Sequence, residues 1–127
     1  MRENEIAKKV VDAAFRVHTK RGPGLLESVY EVALAHEIQK RGLSVIRQKS
    51  VPVKYDDMVF NEGFRADIIV EDSVILELKS VEATAPVHKK QLLTYLRLAD
   101  KKLGLLINFG APLIKHGISR IVNGLKD

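Results

Sequence analysis

Cysteine and tryptophan are both missing from this chain of 127 residues. Without a thiol there is no disulfide framework, no thiolate zinc site, no iron–sulfur cluster and no cysteine nucleophile. That absence fits a reducing compartment, and a cytoplasmic location is expected. Long apolar runs are missing as well: the longest is a few residues, so nothing reads as a bilayer-spanning helix and no membrane partner is expected. The charged start Met1-Arg2-Glu3-Asn4-Glu5 leads into an amphipathic stretch and does not read as a signal peptide. Glycines form no phosphate loop, because Gly22 and Gly24 lack the Lys and Ser/Thr that must follow. The histidines His18, His36, His88 and His116 are scattered, which gives neither a zinc spacing nor a Ser–His–Asp arrangement.

The composition that remains, 46% hydrophobic and 29% charged, is that of a folded globular protein. The length suits one domain, residues 1–127, able to bury a full core unaided. Its net charge of +5 is unevenly spread. Residues 1–49 hold ten Lys or Arg against six acids, and residues 80–127 hold eight against three. Residues 50–79 reverse the balance, with three bases and seven acids. An acidic centre between basic flanks suits a divalent cation in the middle and a polyanion along the flanks. Solvated helix faces and hairpin tips account for the same distribution, and no Lys/Arg run exceeds two residues.

Apolar spacing predicts helices over about 3–20, 26–41 and 86–100, the second stopped by Gly42 and the third opened by Pro86. Four β-type stretches lie between the second and third helices: Leu43–Gln48, Val51–Tyr55, Phe64–Val70 and Val74–Lys79. Leu103–Phe109, bounded by Gly110-Ala111-Pro112, reads as a buried strand. Ile118–Val122 suits a last strand or a short helix equally. A strand–helix–strand crossover after a meander implies a mixed sheet with helices packed against it, an α/β fold.

The most informative segment runs from Phe64 to Lys79. If Glu71-Asp72-Ser73 is a three-residue loop, Val70 pairs with Val74 and Asp67 falls opposite Glu77 on the same face. Directly opposed carboxylates repel, and a hard divalent cation with oxygen ligands resolves that conflict. A solvent-facing hairpin is the alternative. Ile69 and Ile75 weigh against it, because they share the charged face and imply that it is partly covered. In the helices, Glu27 and Tyr30 are neighbours three residues apart. Glu27 also suits the helix dipole with no further role, and Tyr30 suits the core with its hydroxyl satisfied. His88, Gln91 and Tyr95 form one polar stripe on the third helix.

Taken together these residues resemble the PD-(D/E)XK nuclease superfamily. Asp67 followed by Glu77-Leu78-Lys79 matches its Asp…Glu-x-Lys signature, with Ala66 where a proline often stands. Gln91-Leu92-Leu93-Thr94-Tyr95 is similar to the Gln-x-x-x-Tyr helix of the RecB-like branch. Gly24 to Tyr30 is similar to the Gly-x-x-Glu-x-x-Tyr motif of the GxxExxY protein family. The resemblance implies a restriction-endonuclease-like core with a mixed central sheet flanked by helices. It implies that Glu27, Asp67 and Glu77, with the carbonyl of Leu78, hold Mg²⁺ or Mn²⁺. It further implies that Lys79 orients or activates the attacking water, and that Gln91 and Tyr95 place the phosphate or support the site. The expected function is therefore a metal-dependent nuclease, on DNA in preference to RNA, in repair, recombination or defence. The alternative is an inactive nuclease-fold module for nucleic-acid binding or assembly, since fold does not fix function. So small a chain has little beyond its core to grip a duplex, so a homodimer or a partner protein is expected.

Overall fold

A computed structural model describes residues 2–126. The chain begins with two helices, α1 (Glu3–Arg21) and α2 (Glu27–Lys40). Three strands follow: β1 (Val45–Tyr55), β2 (Met58–Val70) and β3 (Val74–Lys79). The rest is α3 (Pro86–Ala99), β4 (Leu103–Asn108), a short α4 (Ile114–Gly117) and β5 (Ile118–Val122). The helices lie close to their expected bounds. The two stretches expected over 43–48 and 51–55 are one strand, and β2 starts six residues before Phe64, at Met58. Residues 58–63 lack a period-2 apolar pattern, so it is pairing that makes them strand. Met58, Val59 and Phe60 lie opposite Tyr55, Lys54 and Val53 across a two-residue turn. Asp56 takes the left-handed conformation there (φ 52°), which an aspartate tolerates. The tail is settled as a strand by its antiparallel ladder with β4, from Leu103↔Val122 to Ile107↔Ile118.

The five strands lie in the order β1-β2-β3-β4-β5. Only β3 and β4 are parallel, joined over α3, and the other pairs are antiparallel, so the sheet is mixed as expected. Helices cover both faces. Ile6 and Val10 of α1 and Tyr30, Leu34 and Ile38 of α2 pack on Ile68, Leu76 and Leu78. On the opposite face Leu92 and Leu96 of α3 pack on Ile69, Ile75 and Leu106. The face carrying Ile69 and Ile75 is thus covered, as their apolar character implied. Among the described residues no helix is long and apolar enough to cross a membrane.

The turn before α2 is fixed by Tyr30 and is joined to the end of β3 by Ser80. Tyr30 is fully buried and stacks on Phe109, ring centroids 4.5 Å apart. Its hydroxyl donates to the carbonyl of Gly22 and accepts from the N–H of Leu25 at 3.2 Å. Ser80, the residue after β3, donates its hydroxyl to the Leu25 carbonyl at 2.6 Å. Asn108 closes the neighbouring crossing, accepting from the N–H groups of Val81 and Gly110 at 3.0 Å each. A Cβ on Gly110 would stand 2.1 Å from the Val81 carbonyl oxygen, so only glycine fits there. The tyrosine of the Gly-x-x-Glu-x-x-Tyr motif is therefore a core residue that ties down the glycine turn. Tyr30→Phe should keep the stack and lose both hydroxyl bonds. The expected cost is about 1–3 kcal/mol of stability, measured by urea unfolding.

Candidate functional site

The β2–β3 turn sets the register of the site. Glu71 and Asp72 take left-handed backbone angles (φ 52° and 50°), and Ser73 N–H bonds the Val70 carbonyl at 3.0 Å. Val70, Ile69 and Ile68 then lie opposite Val74, Ile75 and Leu76. This is the three-residue loop and the register that the sequence suggests, and the next rung would set Asp67 against Glu77. The ladder ends before that rung. Asp67 Oδ2 accepts from the Leu78 N–H at 2.8 Å, and the Asp67 N–H points at Glu77 Oε1, 3.4 Å away. A carboxylate thus occupies the place of a backbone carbonyl.

The strand on the other side breaks at the same level. Arg47 pairs with Ile68 and Lys49 with Ala66, but Gln48, which would face Asp67, has φ 52°. Side-chain alternation slips across this point. Phe64 and Ala66 fall in the same apolar cluster as Ile69 and Ile75, which strict alternation from Ala66 to Ile69 forbids.

Both carboxylates are partly withdrawn from water. Burial, and then the charge of Asp67, push Glu77 up to about 8. Asp67 is also raised, by burial first; the Leu78 N–H pulls it back, and the Glu31 carboxylate adds to the rise. The pair therefore retains a proton near neutral pH. Lys79, two residues beyond Glu77 at the end of β3, exerts a field that favours ionised Glu77. Tyr95 of α3 stacks flat on Phe64, centroids 4.0 Å apart. Its hydroxyl is raised by burial and by the charges of Glu77 and Asp67, which puts it within their field.

The structure thus brings Asp67, Glu77, Leu78, Lys79 and Tyr95 to one place. Glu27, at the first position of α2, and Gln91, on α3, are exposed, and no hydrogen bond or ion pair joins either to the pair among the described residues. Among the described residues no three or more His, Cys, Asp or Glu converge as a group able to hold a metal ion.

Three residues not singled out from sequence also belong here. Glu31 is only 5% exposed. Its Oε2 accepts from Arg47 Nε and Nη2, both at 2.9 Å, and its Oε1 accepts from Gln48 Nε2. The Gln48 amide also reaches Asp67 Oδ1 at 3.4 Å. A signal was present in the sequence: Glu31 shares the helix stripe of Leu34, Ala35 and Ile38, and an acid on a buried stripe requires a partner.

A model of the PD-(D/E)XK nuclease superfamily matches residues 4–121. The chain belongs to that superfamily. Searches of the curated proteins and of the solved structures give no match. The mixed five-stranded sheet with flanking helices is consistent with the superfamily's restriction-endonuclease-like fold. The Asp67…Glu77-Leu78-Lys79 pattern lies within the matched residues, at the point where the β2–β3 ladder breaks.

Linkage gives this superfamily member a testable pH response. Glu77 binds its proton more tightly in the folded state, so unfolding releases that proton between the ordinary value of 4.5 and about 8. With metal chelated, stability should therefore fall as pH rises through that window, by at most about 1.4 kcal/mol per pH unit. Glu77→Gln should flatten the slope and leave the protein more stable than wild type at pH 8. Guanidinium unfolding at pH 5.5 and pH 8 checks both statements.

Proposed function

We propose that this chain hydrolyses phosphodiester bonds in nucleic acid, DNA in preference to RNA, with the help of Mg²⁺ or Mn²⁺. One observation carries the reading: two partly buried carboxylates, Asp67 and Glu77, occupy a broken rung of the sheet with the Lys79 charge beside them. A structural hairpin has no use for that arrangement, whereas a hard divalent cation offsets the repulsion and uses the oxygen donors. Asp67, Glu77 and the Leu78 carbonyl would hold the cation with Glu27, and the bond from Ser80 to Leu25 supports this by holding the start of α2 against the end of β3. The motifs from Gly24 to Tyr30 and from Gln91 to Tyr95 favour the GxxExxY family and the RecB-like branch within the superfamily.

A bound divalent cation supplies a Lewis acid and lowers the pKa of water in its shell. The chain's own groups do the rest. Lys79 donates to a non-bridging phosphate oxygen or to the attacking water, where its ammonium offsets charge that develops in the transition state. The water oxygen forms the new bond to phosphorus and gives up a proton to solvent, while the bond to the leaving sugar oxygen breaks with its electron pair and that oxygen takes up a proton. Tyr95, held flat by Phe64, and Gln91 one turn before it position the phosphate. Exposed Lys89, Lys90 and Arg97 on the same helix contact the flanking phosphates. Their contribution makes affinity fall as salt rises.

Highly purified protein with Mg²⁺ or Mn²⁺, assayed on single-stranded, duplex and branched DNA and on RNA, should cleave at least one substrate. Lys79→Met should lower that rate by about 100-fold or more while folding and nucleic-acid binding persist. Equal traces of cleavage in both proteins, or none on any substrate, would favour the alternative of an inactive binding or assembly module.

A further inference from the structure

The outer half of the β1–β2 hairpin has no neighbour. Strand β3 pairs with β2 only over Ile68–Val70, so residues 53–60 pair with one another and form a two-stranded arm beyond the sheet. Tyr55 faces Met58 and Val53 faces Phe60, which puts these four side chains on one face of the arm. Tyr55, Met58 and Phe60 are 64%, 53% and 52% exposed. The arm is also acidic. Residues 51–64 hold one lysine against three acids, Asp56, Asp57 and Glu62, in a chain whose net charge is +5.

A second unpartnered apolar surface lies on α2. Leu26, Val29 and Val32 are 74%, 46% and 53% exposed, and Val29, Val32 and Ala33 line an open hollow of about 580 Å³. Ala33 and His36 are shared with an adjoining groove that carries Arg16, Lys20 and Lys40. The one acid in that groove, Glu37, is already taken up by Arg41 and Lys40 at 2.9 and 3.4 Å. An apolar strip beside the exposed Arg16 and Lys20 of α1 therefore complements an apolar arm that carries Asp56 and Asp57 at its tip, with Glu62 beside Arg65 at 3.6 Å.

We infer that this chain self-associates by arm exchange, the hairpin tip of each copy seated on the α1–α2 face of the other. Charge selects the occupant. The acids at the tip repel a nucleic acid, while the α1–α2 face of a second copy offers a basic groove with an exposed apolar strip beside it. Edge-to-edge pairing of β1 does not compete, because Pro52 interrupts that outermost strand and Lys49 and Lys54 guard it. Two such contacts close a two-fold dimer. The α3 side, with Lys89 and Lys90, is left free of the contact.

The test reverses charge on each half separately. Sedimentation equilibrium at low salt should give a dimer for the wild-type chain. Asp57→Lys/Glu62→Lys and Arg16→Glu/Lys20→Glu should each sediment as monomers, with circular dichroism and melting close to wild type because all four positions are exposed. An equimolar mixture of the two variants should return to the dimer mass, because each reversed arm then meets a reversed face. A monomeric wild type, association that survives both reversals, or a mixture that stays monomeric would overturn the inference. None of these outcomes depends on nuclease activity.

Discussion

Everything distinctive about this protein turns on two carboxylates held together where a sheet would normally keep them apart. Asp67 and Glu77 would form the next rung after Ile68 and Leu76, and the backbone ladder gives way at that rung. Asp67 takes the Leu78 N–H into its own carboxylate, and the pair stays half-withdrawn from water. Such an arrangement costs stability in the absence of a compensating cation, because desolvation and mutual repulsion both oppose ionisation. A fold built only to be stable would place apolar or oppositely charged residues there. The rest of the molecule can be understood as what is needed to hold this strained rung in place.

Two supports do that work from α2. On its inner side, Glu31 is neutralised by the fork of Arg47 and bonded to Gln48, whose left-handed backbone breaks the opposite strand at the level of Asp67. At its start, Tyr30 fixes the glycine turn, and Ser80 joins that turn to the end of β3. From the other face, α3 supplies Leu92 and Leu96 to cover Ile69 and Ile75, and it sets Tyr95 against Phe64 within the field of the two acids. The site thus rests on rigid helix and strand positions, which suits chemistry that depends on placement.

Much of this was legible in the residues. Alternation along Val74–Lys79 and a turn at Glu71-Asp72-Ser73 are local properties, and they predict the register from Val70↔Val74 inwards. The buried faces of the three long helices follow from apolar spacing in the same way. What escaped was decided by partners distant in sequence. Residues 58–63 carry no strand pattern and are strand only because β1 lies beside them. The slip of faces at Asp67 lies level with an irregularity in the neighbouring strand, at Gln48, which is distant in sequence. Glu31 belongs to the site through Arg47 and Gln48, which lie 16 and 17 residues away in sequence. The last segment, Ile118–Val122, has too few residues for period 2 and period 3.6 to be told apart, and its ladder with β4 settles it.

The central claim is that the Asp67–Glu77 pair exists to hold a divalent cation. Calorimetric titration of the protein with Mn²⁺ at pH 7, repeated in two buffers of different ionisation enthalpy, tests it most directly. If the ion binds to the pair, it must displace the proton retained by Glu77, so binding should release up to about one proton per ion. Affinity should drop sharply in Asp67→Asn, and the proton release should vanish in Glu77→Gln. Heat that is the same in both buffers, or an affinity unchanged in both variants, would contradict the account.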